Sequence, residues 1–154
     1  MSLSELIQSD CIQLDLAAGS KTELIRLMVA RLALAEVVVD SELVVQALLE
    51  RERVMSTGIG GGVAIPHAQS SAVRRLAVAI ARPEPPIPFD SLDEQPVRLA
   101  FMIVGPEERG GFIRILARIS RLLYTGELQK RLLAAPSPED VRAIVEQEEE
   151  KLRQ

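Results

Sequence analysis

Apolar runs of strand type alternate along this chain with amphipathic stretches of helical period. That alternation predicts one α/β domain, a mixed β-sheet with helices packed on both faces. Three observations carry the prediction. Residues 76–81 (LAVAIA) are a continuous apolar run, the pattern of a strand covered on both sides, and the largely apolar 97–104 (VRLAFMIV) reads as a second core strand. Residues 21–34, 41–53 and 112–123 place apolar side chains at helical spacing. A length of 154 residues fits a single domain over 1–154, with its core at about 5–148, and folding at this size buries about 68–70% of the unfolded surface.

Taken in order, residues 3–8 suit one amphipathic turn, and Cys11-Ile12-Gln13-Leu14-Asp15 alternates as a first strand. Ser20-Lys21-Thr22-Glu23 has the form of a capping box, in which the Ser20 hydroxyl takes the Glu23 N–H and Glu23 reaches back. The helix it opens carries Leu24, Leu27, Met28 and Leu32 on one face. Asp40 caps a second helix with Leu43, Val44, Ala47 and Leu48 as its buried stripe. Glu50-Arg51-Glu52-Arg53 ends that helix and reads as a solvated charge run, and Met55 after it reads as a packing residue. Pro83, Pro85, Pro86 and Pro88 forbid a regular helix or a central strand between the two apolar runs, so an extended surface connection is expected there. Residues 105–111 form a loop. In the helix that follows, Phe112, Ile115, Leu116, Ile119, Leu122 and Leu123 share a face opposite Arg114, Arg118 and Arg121. Those arginines fit plain solvated charge, and also a docking surface for an acidic partner or for phosphate. Leu128, Leu132 and Leu133 suggest a short helix. Ser137-Pro138 starts a last one, which trails into Glu146-Gln147-Glu148-Glu149-Glu150 as a solvated, fraying end.

Composition narrows the function classes. Hydrophobic residues are 47% and aromatic residues 3%, so aliphatic side chains must fill the core. A net charge of −4 argues against nucleic acid as a partner. The single cysteine, Cys11, allows no internal disulfide, and the first residues lack a basic, apolar leader; both lead to the expectation of a cytoplasmic protein. No apolar stretch approaches the ~20 residues of a membrane helix, so no membrane insertion is expected. One histidine and one cysteine do not make a transition-metal site of ordinary type, and no metal or cofactor is expected. The glycine run described next precedes a strand, unlike a dinucleotide-binding turn, and no Gly-x-Ser-x-Gly elbow is present.

The chemistry concentrates in residues 56–68, STGIGGGVAIPHA, which hold the only histidine, His67, and four of the nine glycines, Gly58, Gly60, Gly61 and Gly62. The glycines permit positive φ, Val63, Ala64 and Ile65 form a short apolar strand, and Pro66 ends it. His67 is thereby placed just past a strand end beside backbone N–H groups. An imidazole, with a reference pKa of roughly 6.5, is nucleophilic near neutral pH. Successive N–H groups of a glycine turn can hold an anion. Together they suit phosphoryl handling; a hydrogen-bonded, inert loop histidine is the competing role. The hydroxyls of Ser56 and Thr57 can point toward a phosphate or close the turn onto their own backbone.

The run Arg51-Glu52-Arg53, then Ser56-Thr57-Gly58-Ile59-Gly60, then Gly62-Val63-Ala64-Ile65-Pro66-His67 resembles the IIA domain of the fructose–mannitol type. That family belongs to the bacterial phosphoenolpyruvate-dependent phosphotransferase system and includes stand-alone nitrogen-regulatory IIA proteins. The resemblance implies the α/β fold described above. It implies that His67 takes a phosphoryl group from a histidine phosphocarrier protein, then passes it to a IIB partner or holds it as a regulatory signal. It also places Arg51, sixteen positions before His67, beside the active histidine, where a guanidinium pairs with phosphoryl oxygens. Members commonly carry a second histidine at the start of the helix over 112–123. Phe112 stands there in this chain, so slower phosphorylation, or a regulatory binding role independent of phosphotransfer, is the alternative expectation.

Overall fold

The computed structural model describes residues 2–107 and 110–153. A short helix α1 (Leu3–Leu6) runs straight into β1 (Ile7–Leu16). Helix α2 (Lys21–Leu34) begins at the expected cap: Ser20 Oγ accepts the Glu23 N–H at 3.1 Å. The reciprocal bond goes one residue further back, with Glu23 accepting the Gly19 N–H at 3.0 Å. Helix α3 (Ser41–Val54) is capped by Asp40, which accepts the Leu43 N–H at 3.2 Å. Three short strands follow, β2 (Gly58–Gly60), β3 (Val63–Ala64) and β4 (His67–Gln69). The two apolar runs become β5 (Ala77–Pro83) and β6 (Leu99–Gly105). Pro83 is the last residue of β5, paired with Leu16, and the proline-rich connection after it stays outside the regular strands apart from a single bridge between Ile87 and Val97. It is not wholly a surface connection, because Ile87 and Phe89 are buried. Helices α4 (Gly111–Leu123), α5 (Glu127–Ala134) and α6 (Pro138–Arg153) complete the chain.

The strands form one mixed sheet in the order β1-β5-β6-β3-β2, with β4 also paired to β6. β1 lies parallel to β5, and β3 and β4 lie parallel to β6, while β5–β6 and β2–β3 are antiparallel. Every residue of β6 is buried, as expected of a strand covered on both sides. Its side chains alternate between two cores. Ala100, Met102 and Val104 face α2 and α3, while Leu99, Phe101 and Ile103 face α1, α4, α5 and α6. The two faces differ in size. The α2–α3 side is lined by Ala64, Ala68, Ala77, Ala79, Ala81 and Ala100, small side chains that leave room for the leucines and valines of those helices. The other face presents Val78, Ile80, Leu99, Phe101 and Ile103.

Several expectations change on contact with the structure. Leu43 is exposed, and Val45 takes its place in the α3 stripe beside Val44 and Leu48. Met55 is exposed as well, at the extended residue where the chain leaves α3. The charge run at the end of α3 is not wholly solvated, since Glu52 is buried. The acidic run near the C-terminus is not a fraying end: Glu148 and Glu149 are buried. Glu149 accepts the N–H groups of Leu3 at 2.7 Å and Ser4 at 3.1 Å and pairs with Arg118 at 3.5 Å. Glu148 pairs with Arg131 and Lys151, which hold its carboxyl below the usual range. Arg118 is therefore not a purely solvated arginine, whereas Arg114 and Arg121 are exposed. The predicted loop over 105–111 includes Glu108 and Arg109, which lie outside the described residues.

Because Glu149 satisfies the first N–H groups of α1, replacing it leaves buried donors unpaired, a loss of about 1–3 kcal/mol. Urea unfolding of Glu149→Ala is expected to show that loss, and exchange of the Leu3 and Ser4 amides is expected to quicken.

Candidate functional site

His67 opens β4 opposite Ile103 of β6, and its position is set by backbone on both sides. Upstream, the Ile65 N–H donates to the Thr57 carbonyl at 3.0 Å. Downstream of Ile65, the Ile103 N–H donates to the Pro66 carbonyl at 2.9 Å. Pro66 has no N–H of its own and divides β3 from β4, so the chain pairs with β6, steps out and pairs again. The imidazole lies at that step, half-buried.

Nδ1 of His67 lies 2.7 Å from the Ile65 carbonyl oxygen. A carbonyl can only accept, so Nδ1 carries the hydrogen, and in the neutral ring the lone pair is on Nε2. Burial, the largest influence, pushes the imidazole below its ordinary value of 6.5. The Ile65 carbonyl opposes that by stabilising the protonated ring, the Arg51 charge adds to it and the Glu52 charge opposes it, with a net lowering. The ring is therefore largely neutral near pH 7, with a nucleophilic Nε2.

The N-terminus of α4 brings Phe112 against this ring, the centroids 6.0 Å apart and the planes tilted by 49°. Gly105, at the end of β6, lies beside Phe112 and Leu76. A Cβ there would sit 3.3 Å from Leu76 Cδ1 and 3.5 Å from Phe112 Cδ2. Phe112 thus occupies the side of His67 where the sequence resemblance places a second histidine.

Arg51, half-buried in the last turn of α3, donates to the Met55 carbonyl at 2.8 Å. Its charge acts on His67, adding to the lowering by burial, while its guanidinium is hydrogen-bonded to main chain rather than to the imidazole. The groups expected to hold phosphate are arranged differently. Gly60, Gly61 and Gly62 have φ of +94°, +66° and +82° and form the tip of the β2–β3 hairpin. The Gly61 N–H donates to Asp93 Oδ2 at 2.9 Å, a bond that holds the Asp93 carboxyl below its usual range. Ser56 Oγ donates to the Phe89 carbonyl and accepts the Gly58 N–H at 3.0 Å. Thr57 Oγ1 donates to Glu52 Oε2. These hydroxyls and the Gly58 and Gly61 amides are thus engaged within the protein. Ser56 closes the turn onto nearby backbone, the second of the two arrangements open from sequence, whereas Thr57 takes neither, its hydroxyl being spent on the Glu52 carboxylate.

Two residues of the site escaped sequence reasoning. Asp93 lies in a polar connection with no motif to flag it. Glu52 left a usable signal: Val44, Leu48 and Glu52 follow one another at i, i+4, i+8, which puts the carboxylate on the buried stripe. Cys11 is buried with its thiol pushed up by burial, consistent with a core residue. Among the described residues, no group of three or more His, Cys, Asp or Glu side chains is placed to hold a metal, and no helix is long and apolar enough to cross a membrane.

Residues 5–148 match the family described as phosphoenolpyruvate-dependent sugar phosphotransferase system, EIIA 2. The chain is 33% identical over 147 residues to a nitrogen regulatory protein of Bradyrhizobium diazoefficiens, covering 94% of this chain and 95% of that one. It is 36% identical over 148 residues to a fructose-specific EIIABC component of Bacillus subtilis, covering 96% of this chain and 23% of that longer protein. The crystal structure of nitrogen regulatory protein IIA-Ntr from Neisseria meningitidis superposes with a TM-score of 0.86 at 32% identity, covering 92% of this chain and 97% of that one.

The lowered pKa of His67 has a consequence for stability. Between its folded value and 6.5 the unfolded chain binds more protons than the folded one, so His67 contributes a loss of stability as pH falls below 6.5. NMR titration of the single histidine is expected to show a midpoint below 6.5, and a His67→Ala variant is expected to lose that part of the pH dependence.

Proposed function

The chain belongs to the EIIA 2 family of the phosphoenolpyruvate-dependent sugar phosphotransferase system, and from that premise we propose that it relays a phosphoryl group on Nε2 of His67. The observation that supports this most strongly is the 2.7 Å contact between Nδ1 and the Ile65 carbonyl, which reserves the Nε2 lone pair for chemistry. The donor is a histidine phosphocarrier protein in the cytoplasm. Nε2 attacks the phosphorus of the carrier's phosphohistidine, an Nε2–P bond forms, and the carrier's N–P bond breaks with its electron pair returning to the departing imidazole. No proton need leave His67. Nδ1 keeps its hydrogen on the Ile65 carbonyl, which offsets the positive charge that spreads over the ring.

Phosphoryl transfer of this kind depends on positioning and on offsetting oxygen charge. Arg51 is the group of the right sign on the His67 side of α3, and a swing away from the Met55 carbonyl lets its guanidinium meet phosphoryl oxygens. The amides of Gly58 and Gly61 would join only if they left Ser56 and Asp93. Phe112 offers no hydrogen-bond donor, so the site accepts the phosphoryl group with one donor fewer than a two-histidine site.

The destination has two forms. A IIB partner accepts the group in sugar uptake, as the likeness to the fructose-specific component suggests. The likeness to nitrogen regulatory proteins over nearly their full length favours the second form, in which the phosphorylated and free proteins are distinguished by a regulatory target. Pull-downs with the phosphorylated protein and with His67→Ala separate the two: a target held by only one state marks regulation, and transfer of label to a IIB protein marks transport.

Incubation with the general phosphotransferase enzyme, the carrier protein and labelled phosphoenolpyruvate is expected to label wild type and not His67→Ala. Absence of label on wild type, or equal label on the variant, overturns the relay. Phe112→His is expected to speed label capture, by as much as about 10²-fold, since one preorganised donor at a charge-bearing site is worth on the order of 10²–10³ in rate.

A further inference from the structure

We propose that Glu52 is a positioning residue for His67, acting through Thr57 and the Ile65 carbonyl. The inference rests on His67 being the phosphoryl acceptor, and it concerns what aims the nucleophile.

The chain of contacts is continuous. Lys21 Nζ of α2 lies 2.9 Å from Glu52 Oε1, and the Glu52 side chain is only 4% exposed. The same carboxylate grips Thr57 twice, accepting its N–H at 3.1 Å on Oε1 and its hydroxyl on Oε2. Two contacts to one residue fix its rotation as well as its place. The Thr57 carbonyl then accepts the Ile65 N–H at 3.0 Å, and the Ile65 carbonyl accepts Nδ1 of His67 at 2.7 Å. Lys21 is itself held over the Phe89 ring, 4.7 Å from its centroid, and the Phe89 carbonyl accepts the Ser56 hydroxyl next to Thr57. The carboxylate end is therefore braced from α2 and from the connection that precedes β6.

The arrangement is more than a cap for α3. A cap satisfies helix amides, whereas Glu52 stands inside the last turn and reaches forward to a residue beyond the helix end. Hydrogen bonds to an ionised acceptor are shorter and stiffer than neutral ones, which suits a group that must hold a carbonyl in line several bonds away. The position also bears on charge. Glu52 and Arg51 act on the imidazole with opposite signs from adjacent positions, so Arg51 can serve the phosphoryl group without an unopposed cation acting on the ring.

The test uses the full chain and two readouts. Nitrogen chemical shifts of the single imidazole report which nitrogen carries the hydrogen, and labelling with carrier protein reports the rate. Wild type is expected to show Nδ1–H alone. Glu52→Gln keeps shape without charge, and Thr57→Val removes the hydroxyl without bulk. Both are expected to show mixed tautomers and to capture label between about tenfold and a hundredfold more slowly, the scale seen when an outer partner of a functional histidine is removed. Thr57→Ser is expected to restore both readouts. Glu148→Gln, a buried carboxylate on the α5–α6 side, is expected to move neither. If folded Glu52→Gln and Thr57→Val retain the Nδ1–H tautomer and the wild-type rate, Glu52 has no positioning role. The shifts decide this without phosphorylation, so label capture by wild type decides the acceptor role separately.

Discussion

The hydrogen bond from Nδ1 of His67 to the Ile65 carbonyl is the constraint on which the site depends. A neutral imidazole has one donor and one acceptor nitrogen, and the partner of the donor decides which nitrogen is left to react. Here the partner is main chain two residues away, and it precedes a proline. Pro66 brings no N–H and fixes φ, so the turn that aims the carbonyl at the ring is built from covalent geometry more than from side-chain contacts. Half-burial completes the effect by favouring the uncharged ring.

That bond is only as steady as the two short strands on either side of it. β3 has two residues and β4 three, lengths that would not stand alone. Both pair with β6, buried along its whole length, whose alternate side chains anchor two separate cores. The difference in size between those cores follows from what they hold. Alanines line the side where α2 and α3 pack, and α3 delivers Arg51 and Glu52 to the site. Larger side chains line the side where α4 packs and delivers Phe112. The imidazole is thus approached from helices on opposite faces of one sheet.

Much of this was legible in the residues alone, and the exceptions share a cause. Continuous apolar runs identified β5 and β6, and caps identified α2 and α3, because burial and end-satisfaction leave local patterns. The Gly-Pro-His stretch singled out His67 for the same reason. What could not be read locally were the contacts of charged residues across the fold. Glu149 satisfies the amides of a helix at the other end of the chain, and Asp93 meets a glycine amide 32 positions earlier. Glu52 lay within a run of four charges, the most solvated-looking part of α3, and only its helical phase gave it away. Strand order also escaped the sequence, since β3 and β4 are too short to announce their pairing with β6.

The surroundings of His67 separate two demands that one histidine cannot meet by itself. Accepting a phosphoryl group requires a neutral ring with one free nitrogen. Burial beside the apolar Phe112 favours that, and the Ile65 carbonyl chooses the nitrogen. Holding the group requires cations and donors near its oxygens. A second imidazole at position 112 would serve the second demand but, when protonated, would place another positive charge beside His67. Phe112 adds neither a charge nor a donor, so on the proposed reading the phosphoryl oxygens fall to Arg51, whose guanidinium rests on the Met55 carbonyl. The geometry therefore prepares a neutral ring with one reactive nitrogen but offers few donors to phosphoryl oxygens, which is the side of the balance on which a histidine at position 112 is expected to act.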